Sequence, residues 1–573
     1  MKKKILILAS QNGSNFEAII KYFKNRTDLT FELLVNNKNA YALKRAKNLN
    51  VRAIYLEKNK IDDFIIKSDY DFIFMVGFLQ ILKEETVTKK KIVNLHPSLL
   101  PKYKGLEAIK KAFLNNEVKT GITIHYATKN VDEGEIIFQK ELKIEKNYTL
   151  EILEKKIHSL EHYYYPRIIE KLLGLNVLVI GRGAREHAIA EKISNSKFLN
   201  KLYLADSNDG FKNLGEIISY KNYSELSNFA LKKNINLVIV GAENYLCDGI
   251  VNVFQKNNIK IIGSDKNFSK LEGSKLFAKK LMKKYKIKTS PYKKITKIKN
   301  INKVLSKFKN PIIKIDSLAS GKGVYLGKNL KDIKKELKEF LNGKFGKKAK
   351  TALVEEKLFG EEISLFSFWD GKNLLSFPLA KDFKQNSKGE NTGGLASICP
   401  VEINLKAARN LEIYKKKILN LLKKEKISTP FILYSGLMVS KDDIYVLEYN
   451  VRLGDPETQS LLNYIQNDWL EIFYYQAIQA LDRINLKLGE KTSYCVVLTS
   501  SNYPKKENEI FEIKNLENFT SKTKTYYANI KKENNTITTT GGRILSVVGE
   551  DLEEIYKKLN SIDFKNKTYK IIV

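Results

Sequence analysis

One short run of the sequence carries the residue types that acyl transfer to an amine requires. Residues 94–101 read NLHPSLLP, and a carboxylate follows at Asp132, within VDEG. The amide of Asn94 can donate a hydrogen bond to a developing oxyanion, and the imidazole of His96 can help to move protons. The carboxylate of Asp132 can orient that imidazole or hold a water molecule. We therefore predict that these three residues form a catalytic site.

The alternative is that the histidine is only a polar residue at the end of a strand. Prolines at 97 and 101 forbid a regular helix here, so we expect the site to sit on a rigid loop. The full octapeptide together with the distal Asp132 favours the catalytic interpretation.

Two apolar strands precede this run and could position it. The first, Lys4–Ser10, ends in a turn that reads QNGSN, and a helix is predicted from Phe16 to Phe23. Such a turn presents free backbone N–H groups to an anion, typically a phosphate. The second strand, predicted at Tyr70–Val76, ends at the segment GFLQIL. Ligands bind at the carboxyl edge of parallel sheets, so both segments are expected to line the site.

Residues 1 to about 170 resemble the folate-dependent phosphoribosylglycinamide formyltransferases. The resemblance rests on NGSN at 12–15, GFLQIL at 77–82, NLHPSLLPKYKG at 94–105, residues 128–134, EH at 161–162 and YP at 165–166. It implies that Asn94, His96 and Asp132 are catalytic. It also implies a substrate site at Gly13, Ser14, Asn15 and Glu161, and a pocket for 10-formyltetrahydrofolate at Phe78, Leu79, Gln80, Ile81, Leu82 and Thr128.

A second set of motifs begins at Asn176 with almost no linker. The predicted strand Asn176–Ile180 is followed by GRGAREHA at 181–188. A glycine turn that opens a helix can bind a phosphate, so Gly181 and Gly183 are candidate substrate contacts. A nucleotide cofactor at this turn is the alternative, but no acidic residue follows a second strand at the distance that a dinucleotide site requires.

Two further segments suit the binding of a nucleoside triphosphate. Lys314 lies on a predicted strand and precedes a small-residue loop that carries Lys322, and both ammonium groups could neutralise phosphate charge. The pattern is not a Walker motif, which needs Gly-Lys-Ser/Thr at a helix start. The carboxylates of Glu355 and Glu362 could accept hydrogen bonds from adenine and ribose.

A predicted strand near residue 450 offers a metal site. Glu448 and Asn450 alternate along this strand, so their side chains lie on one face. Two oxygen ligands beside nucleotide phosphates suit Mg2+ (or Mn2+). The alternative for each acidic pair is a solvated surface, which an apolar strand in front of Glu448 argues against.

Residues from about 175 to 550 resemble the ATP-grasp ligases, and among them the phosphoribosylamine–glycine ligases. The resemblance is carried by residues 181–188, 271–275, 318–324, 391–394, 434–438, 448–459 and 541–543. By motif position, ATP is contacted by Lys275, Lys314 and Glu355, and the metal by Glu448 and Asn450. The glycine and phosphoribosylamine sites are expected around Asn391, Thr392, Gly393, Gly394, Arg452 and Asp455.

Composition limits the other classes of function. The formal charge is +36, but lysine is spread along the whole chain and arginine is scarce, so we predict no nucleic-acid partner. No apolar run approaches a membrane span, and we predict no membrane partner. Three widely spaced cysteines form neither a disulfide framework nor a metal cluster, which indicates a cytoplasmic protein.

We predict an α/β fold with a Rossmann-like formyltransferase domain at 1–174 and an ATP-grasp ligase behind it. The ligase is divided into an N-terminal subdomain at 175–275, the ATP-grasp core at 276–485 and a small C-terminal subdomain at 486–573. The predicted function is a bifunctional enzyme of purine biosynthesis that acts on small molecules, with a homodimer allowed. It joins glycine to 5-phosphoribosylamine with ATP, through glycyl phosphate, and formylates the resulting glycinamide ribonucleotide from 10-formyltetrahydrofolate.

Two alternatives stay open at this point. The ATP-grasp half could be catalytically silent, because Phe383 and Gln385 stand where the resembled family carries His and Arg. The whole chain could instead be a basic binding protein without turnover, but such a protein has no need of residues such as Asn94, His96 and Glu448.

Overall fold

The chain divides into two units, Met1–Gly174 and Leu175–Val573. The computed structural model describes residues 2–317, 323–327, 329–344, 351–386, 391–505, 509–516, 522–534, 536–565 and 567–572, without the side chain of Asn391. Lys322 and the rest of the predicted loop at 318–322 lie outside the described residues.

The first unit is a single sheet with helices on its faces. Its strands are β1 (Lys3–Ala9), β2 (Leu29–Val35), β3 (Arg52–Tyr55), β4 (Phe72–Val76), β5 (Ile92–His96), β6 (Lys119–Tyr126) and β7 (Ile136–Lys143). Its helices are α1 (Ser14–Tyr22), α2 (Tyr41–Asn48), α3 (Lys58–Lys67), α4 (Glu84–Lys89), α5 (Ala108–Leu114) and α6 (Leu150–Leu173).

The order of strands explains where a ligand can enter the first unit. The sheet runs β3-β2-β1-β4-β5-β6-β7, with β1 to β5 parallel and the last two strands antiparallel. The chain moves outward in one direction from β1 and in the other from β4, so the carboxyl ends of these two strands form the crevice of an open sheet. The predicted turn QNGSN follows β1, and the predicted segment GFLQIL follows β4.

The described residues of the second unit form five sheets. Its strands are β8 (Leu175–Ile180), β9 (Leu199–Ala205), β10 (Glu216–Ile218), β11 (Leu237–Val240), β12 (Ile261–Ile262), β13 (Tyr292–Ile295), β14 (Pro311–Ile315), β15 (Val324–Tyr325), β16 (Ala352–Glu356), β17 (Glu361–Trp369), β18 (Leu374–Ser376), β19 (Lys381–Gln385), β20 (Asn391–Cys399), β21 (Phe431–Ser440), β22 (Asp443–Asn450), β23 (Ser493–Ser500), β24 (Phe511–Ile513), β25 (Thr523–Tyr527), β26 (Lys531–Glu533), β27 (Thr536–Thr539), β28 (Arg543–Gly549) and β29 (Lys567–Thr568). Its helices are α7 (Ala184–Ser194), α8 (Tyr223–Lys232), α9 (Glu243–Asp248), α10 (Ile250–Lys256), α11 (Lys270–Gly273), α12 (Lys275–Lys284), α13 (Ile301–Leu305), α14 (Leu330–Leu341), α15 (Leu405–Lys424), α16 (Glu457–Tyr464), α17 (Trp469–Ala477) and α18 (Leu552–Ser561).

These sheets fall into three regions. A parallel sheet, β10-β9-β8-β11-β12, comes first. Two antiparallel sheets, β13-β16-β14-β15 and β18-β17-β21-β22, form the middle region. The last region contains the sheet β19-β20-β23-β28-β25 with β29 at its side, and the small sheet β24-β27-β26. Among the described helices, none is both long enough and apolar enough to cross a membrane.

A buried histidine joins α7 to the last region. His187 is 6% exposed, and its Nε2 donates to the carbonyl of Gly210 at 3.0 Å. Its ring packs edge-on against Phe211 and Tyr527. Its Nδ1 has no hydrogen-bond partner among the residues that the structure describes. Burial therefore lowers the pKa of His187 to about 4.

We expect His187 to make the second unit sensitive to acid. Between pH 6.5 and pH 4 the unfolded chain binds a proton at this position and the folded chain does not. Stability is therefore lost as the pH falls through this window, by up to about 3 kcal/mol. Both tryptophans lie in the second unit, so urea unfolding followed by tryptophan fluorescence reports on it alone. His187→Gln keeps a donor for Gly210 and should flatten the decline; an equal decline in both proteins would contradict the prediction.

Candidate active sites

The predicted acyl-transfer residues meet at the carboxyl end of β5. Asn94 and His96 lie on the strand itself, two residues apart and hence on one face. The prediction of a loop is wrong for these two residues, since the turns begin only at Pro97. The physical reason is that a residue before proline is biased toward extended backbone, which lets the strand continue through His96.

Asp132 reaches this face from the turn between β6 and β7. Its Oδ2 lies 3.2 Å from His96 Nδ1 and accepts the N–H of Gly105 at 2.8 Å. Its Oδ1 accepts from Asn94 Nδ2 at 3.3 Å, and its side chain is only 7% exposed. Thr128, at the start of the same turn, is exposed. The fold thus brings together the three side chains that the sequence motifs single out.

The protonation of this pair follows from its surroundings. Burial lowers the pKa of His96 more than the charge of Asp132 raises it. Burial would raise the pKa of Asp132, but hydrogen bonds from His125 and Gly105 and the charge of His96 outweigh it, and the pKa is lowered. Near neutral pH the pair is therefore a carboxylate beside a neutral imidazole.

The tautomer of His96 decides which nitrogen can take a proton. Its Nε2 lies 2.8 Å from the carbonyl of Tyr103, which can only accept, so the neutral ring carries its proton there. Nδ1 is then the nitrogen that can accept a proton, and it faces Asp132. A carboxylate at that position stabilises the imidazolium that would form.

His125 is a fourth member of this cluster that the sequence motifs do not reveal. It lies on β6, and the antiparallel register places it opposite Asn94 on β5. Its Nδ1 donates to the carbonyl of Tyr126 at 2.9 Å, and its Nε2 lies 3.1 Å from Asn94 Nδ2 and 3.4 Å from Asp132 Oδ1. The one signal in the sequence is a polar residue inside the apolar run GITIHY.

The predicted phosphate turn and Glu161 come together in the same unit. Helix α1 begins at Ser14, and Gly13 before it has φ of 75°. A Cβ on Gly13 would lie 2.6 Å from Cβ of Ala42, so this turn requires glycine. Asn15 Nδ2 donates to Glu161 Oε2 at 2.9 Å. The first turn of α1 and the carboxylate of Glu161, on α6, therefore lie side by side.

The predicted folate segment divides into two kinds of residue. The side chains of Phe78 and Leu82 belong to the apolar core of the first unit. Leu79 and Ile81 are 47% and 71% exposed, and they offer apolar surface to a flat ring. Gln80 points away from this apolar surface, because its Nε2 donates to the carbonyl of Lys58, the first residue of α3, at 2.9 Å. Direct side-chain contact with a folate is thus restricted to Leu79 and Ile81 within this segment.

The second unit contains a cavity of about 840 Å³ between its regions. Of the predicted site residues, its wall includes Gly183, Lys275, Lys314, Glu362, Thr392, Gly393, Glu448, Asn450, Arg452 and Asp455. The predicted contacts Gly181, Glu355 and Gly394 do not line it. Asn391 begins β20, and its side chain lies outside the described part of the chain.

Glu448 and Asn450 project from one face of β22 as predicted from their spacing. In the amide orientation that satisfies its neighbours, Asn450 donates to Glu272 Oε1 and to the carbonyl of Tyr449, both at 3.1 Å. Its Oδ1 is then free to face a cation. Burial would raise the pKa of Glu448, but Lys384, Lys314 and Lys275 lower it, so this side chain is a carboxylate.

This donor set fits Mg2+. One carboxylate and one amide oxygen are hard ligands, and a magnesium ion commonly takes its other ligands from water and substrate phosphates. No group of three or more Asp, Glu, His or Cys side chains in the described residues could hold a metal without such help. The residues therefore fit a metal that arrives with a nucleotide.

Lys314, in the cavity wall, and Glu355, behind it, form a buried network. Lys314 Nζ donates to the carbonyl of Leu447 at 2.8 Å and lies 3.3 Å from Glu355 Oε2. The same carboxylate oxygen lies 3.0 Å from Lys279 Nζ, and burial lowers the pKa of that lysine to about 8. Glu355 is 1% exposed. The predicted hydrogen bond from a nucleotide to Glu355 has no support in this geometry, because its carboxylate faces the two lysines.

The glycines of GRGAREHA serve another purpose than the predicted one. The N–H of Gly183 donates to Glu186 Oε2 at 2.7 Å and is not free for a phosphate. A Cβ on Gly181 would lie 2.5 Å from the Glu186 side chain, and one on Gly183 would lie 2.8 Å from it. Both glycines are therefore needed to admit a buried glutamate, which a local motif does not indicate.

Arg452 and Arg543 organise the remaining predicted contacts. Arg452 Nη2 pairs with Glu272 Oε1 at 2.9 Å. Arg543, from β28, donates through Nη1 to the carbonyls of Gly393 and Asp455, both at 2.8 Å. Its Nη2 lies 3.0 Å from Asp455 Oδ2. Arg543 thus fixes the glycine-rich start of β20 and Asp455 beside the cavity.

Known families account for nearly the whole chain. The formyl transferase model matches residues 3–169. Models of the phosphoribosylglycinamide synthetase N domain, ATP-grasp (A) domain and C domain match residues 175–272, 273–458 and 493–570. A phosphoribosylamine–glycine ligase of Fusobacterium nucleatum is 38% identical over 416 residues, which are 69% of this chain and 97% of the relative. The chain belongs to the phosphoribosylglycinamide synthetase family.

The solved structures agree for the synthetase unit. The crystal structure of a phosphoribosylamine–glycine ligase from Thermotoga maritima is 27% identical and superposes with a TM-score of 0.59, covering 69% of this chain and 99% of that one. A second ligase relative, from Caldanaerobacter subterraneus, is 37% identical over 411 residues. The prediction of a Rossmann-like formyltransferase followed by an ATP-grasp ligase is confirmed. The chain is a bifunctional enzyme of purine biosynthesis that joins a formyltransferase to a synthetase.

Glu272 has a role in the synthetase unit that the sequence motifs do not indicate. It lies in LEGSK and is 8% exposed. Its two oxygens accept from the N–H of Val451 at 2.8 Å, from Arg452 and, in the orientation above, from Asn450. The sequence gives no hint of this role, because Glu272 and Val451 are 179 residues apart.

Proposed function

We propose that the synthetase unit ligates glycine to 5-phosphoribosylamine with ATP, and that the formyltransferase unit formylates the glycinamide ribonucleotide from 10-formyltetrahydrofolate. The observation that carries this proposal is that each unit contains its own set of residues for one of these consecutive reactions. The first set is Asn94, His96 and Asp132, and the second is centred on Glu448 and Asn450.

In the synthetase unit, Lys275 and Lys314 would bind the nucleotide phosphates, and Glu448 and Asn450 would hold Mg2+. The bound metal neutralises charge on the phosphates during phosphoryl transfer. A glycine carboxylate oxygen attacks the terminal phosphorus, and ADP leaves. The phosphoribosylamine nitrogen then attacks the carbonyl carbon of glycyl phosphate, loses a proton and displaces phosphate.

In the formyltransferase unit, the amine of glycinamide ribonucleotide attacks the formyl carbon of 10-formyltetrahydrofolate. The tetrahedral adduct loses the amine proton, its bond to N10 breaks, and N10 takes up a proton as tetrahydrofolate leaves. Asn94 and His96 would stabilise the oxygen that gains negative charge. Asp132, 3.2 Å from His96 Nδ1, would assist the proton that leaves the amine. Gly13, Ser14 and Asn15 would bind the phosphate of this substrate at the start of α1, and Glu161 its glycinamide end.

A silent synthetase unit has no support. All three synthetase domain models match, and the substituted segment still places Asp382 and Lys384 in the cavity wall. Phe383 between them packs against the apolar core of the last region. We infer a reducing, cytoplasmic location from the three free thiols. A homodimer and the lack of a nucleic-acid partner stay predictions.

The proposal is tested by ADP release from the purified chain given Mg2+-ATP, glycine and freshly generated phosphoribosylamine. We expect ADP only when both co-substrates are present, and formylated product only when 10-formyltetrahydrofolate is added. ADP release without either co-substrate would contradict the ligation. Formyl transfer to supplied glycinamide ribonucleotide without any ADP release would restore the silent-ligase alternative.

A further inference from the structure

Helix α12 carries two lysines one turn apart, and they differ in what they face. Lys275 lies in the wall of the synthetase cavity. Lys279 lies behind that wall, is not part of it and is only 2% exposed. An ammonium group is costly to bury unless it is paired and hydrogen-bonded. Lys279 cannot contact a ligand in the cavity, so its role must be sought in the groups that surround it.

The ammonium group of Lys279 is held by three side chains. It lies 3.0 Å from Glu355 Oε2, and it donates to Thr289 Oγ1 at 2.8 Å and to Ser290 Oγ at 3.0 Å. The hydroxyl of Thr289 donates in turn to the carbonyl of Val446 at 2.7 Å, on the strand that carries the proposed metal ligands. Lys279 therefore connects α12, β16 and β22 on the buried side of the cavity wall.

The charges of this network do not cancel. Glu355 Oε2 also lies 3.3 Å from Lys314 Nζ, so one carboxylate is shared by two ammonium groups. Burial would raise the pKa of Glu355, but the charges of the two lysines lower it, and the group stays a carboxylate. The pKa of Lys279, about 8, leaves it protonated at neutral pH. One positive charge is thus in excess, and of the two lysines only Lys314 lines the cavity.

A neutral residue at position 279 would change this balance. Lys314 and Glu355 would then compensate each other, and charges compensate strongly where water is excluded. We propose that Lys279 is a positioning residue for nucleotide binding: it neutralises Glu355 and so leaves the charge of Lys314 available to phosphate groups in the cavity. This inference rests on the proposed ligase function, which places ATP in the cavity, and adds to it a residue that never touches the nucleotide.

Lys279→Gln tests the proposal, because glutamine is neutral but keeps an amide that can donate to its neighbours. The Kd of the Mg2+ complex of adenylyl imidodiphosphate, a triphosphate analogue, is measured by calorimetry on the full chain. It should rise by about 5- to 30-fold, whereas the Kd of adenosine, which has no phosphate, should change by less than about twofold. Lys283→Gln is the matched control, since Lys283 lies one turn further along α12, is exposed and does not line the cavity.

Two further variants separate charge balance from a structural role. Glu355→Gln removes the carboxylate, so the charge of Lys314 stays available and the analogue should bind within about threefold of the wild type or more tightly. The double variant Lys279→Gln/Glu355→Gln removes both charges. It should recover the affinity that Lys279→Gln loses, to within about threefold of the wild type. Damage to the packing of α12 would not be repaired by a second substitution in the same buried network.

Three results would overturn the inference. Lys279→Gln could bind the analogue as well as the wild type does, or it could lose affinity for adenosine and the analogue alike. The double variant could fail to recover affinity. Glu355→Gln could weaken binding tenfold or more, which would make Glu355 a nucleotide contact; this arm decides the matter even if Lys279→Gln fails to fold. A wild-type chain that does not bind the analogue is a separate outcome, which would refute the nucleotide site of the proposed ligation itself.

Discussion

Replacement of Asp132 by asparagine should reduce formyl transfer by about 10²- to 10⁴-fold and leave ligation unchanged. Asparagine has nearly the same shape as aspartate and retains an oxygen that can accept the N–H of Gly105. In the wild-type protein the Gly105 nitrogen lies 2.8 Å from Asp132 Oδ2. It lacks the negative charge that would stabilise a protonated His96 at 3.2 Å. The loss should therefore fall on kcat rather than on substrate binding.

The pH dependence gives this prediction a second readout. Burial lowers the pKa of His96, so formyl transfer by the wild type should fall in acid with a midpoint below pH 6.5. The charge of Asp132 opposes that shift, so the midpoint should move to still lower pH in Asp132→Asn. An unchanged midpoint would show that the two side chains do not act as a pair.

Glu133→Gln is a suitable control for Asp132→Asn. Glu133 is the neighbouring residue, but it is 44% exposed and pairs with Lys104 at the surface. Its replacement should change formyl transfer by no more than about twofold. Equal losses in both variants would mean that the turn between β6 and β7 is merely disturbed, and the catalytic role of Asp132 would be refuted.

Replacement of Glu448 by glutamine should impair ligation and leave formyl transfer unchanged. Ligation should fall by about 10²- to 10³-fold, because the substitution removes a charge that interacts with three lysines and that would hold the proposed metal. The Mg2+ concentration for half-maximal ADP release should rise as well. Formyl transfer to supplied glycinamide ribonucleotide should stay at the wild-type rate, since it uses residues of the other unit.

The strand that carries Glu448 also provides its control. Asp443 begins β22, pairs with Lys288 at 2.7 Å and lies outside the cavity wall. Asp443→Asn should keep the wild-type Mg2+ dependence. If Glu448→Gln lost activity with an unchanged Mg2+ requirement, the assignment of this carboxylate to the metal would be wrong.

The sequence predicted those parts of both sites that lie close together along the chain. Asn94 and His96 are two residues apart, as are Glu448 and Asn450, and the two-residue period of a strand puts each pair on one face. The apolar strands and the glycine turns that follow them are equally local. The two families and the bifunctional assignment came from the resemblance of these motifs to known families.

The tertiary structure alone decided how each candidate is used. The carboxylate of Glu186 accepts the hydrogen bond from the N–H of Gly183, which the local motif predicted to bind a phosphate. Glu355 faces two lysines instead of the cavity.

The physical reason is the distance along the chain between the groups that meet. Arg543 reaches Gly393 across 150 residues, and His125 reaches Asn94 only because β6 pairs with β5 in one register. Strand order and register depend on the packing of the whole unit, so no local pattern encodes them. The sequence by itself determined which chemistry this protein carries, and the packing of its sheets decided which side chains are free to perform it.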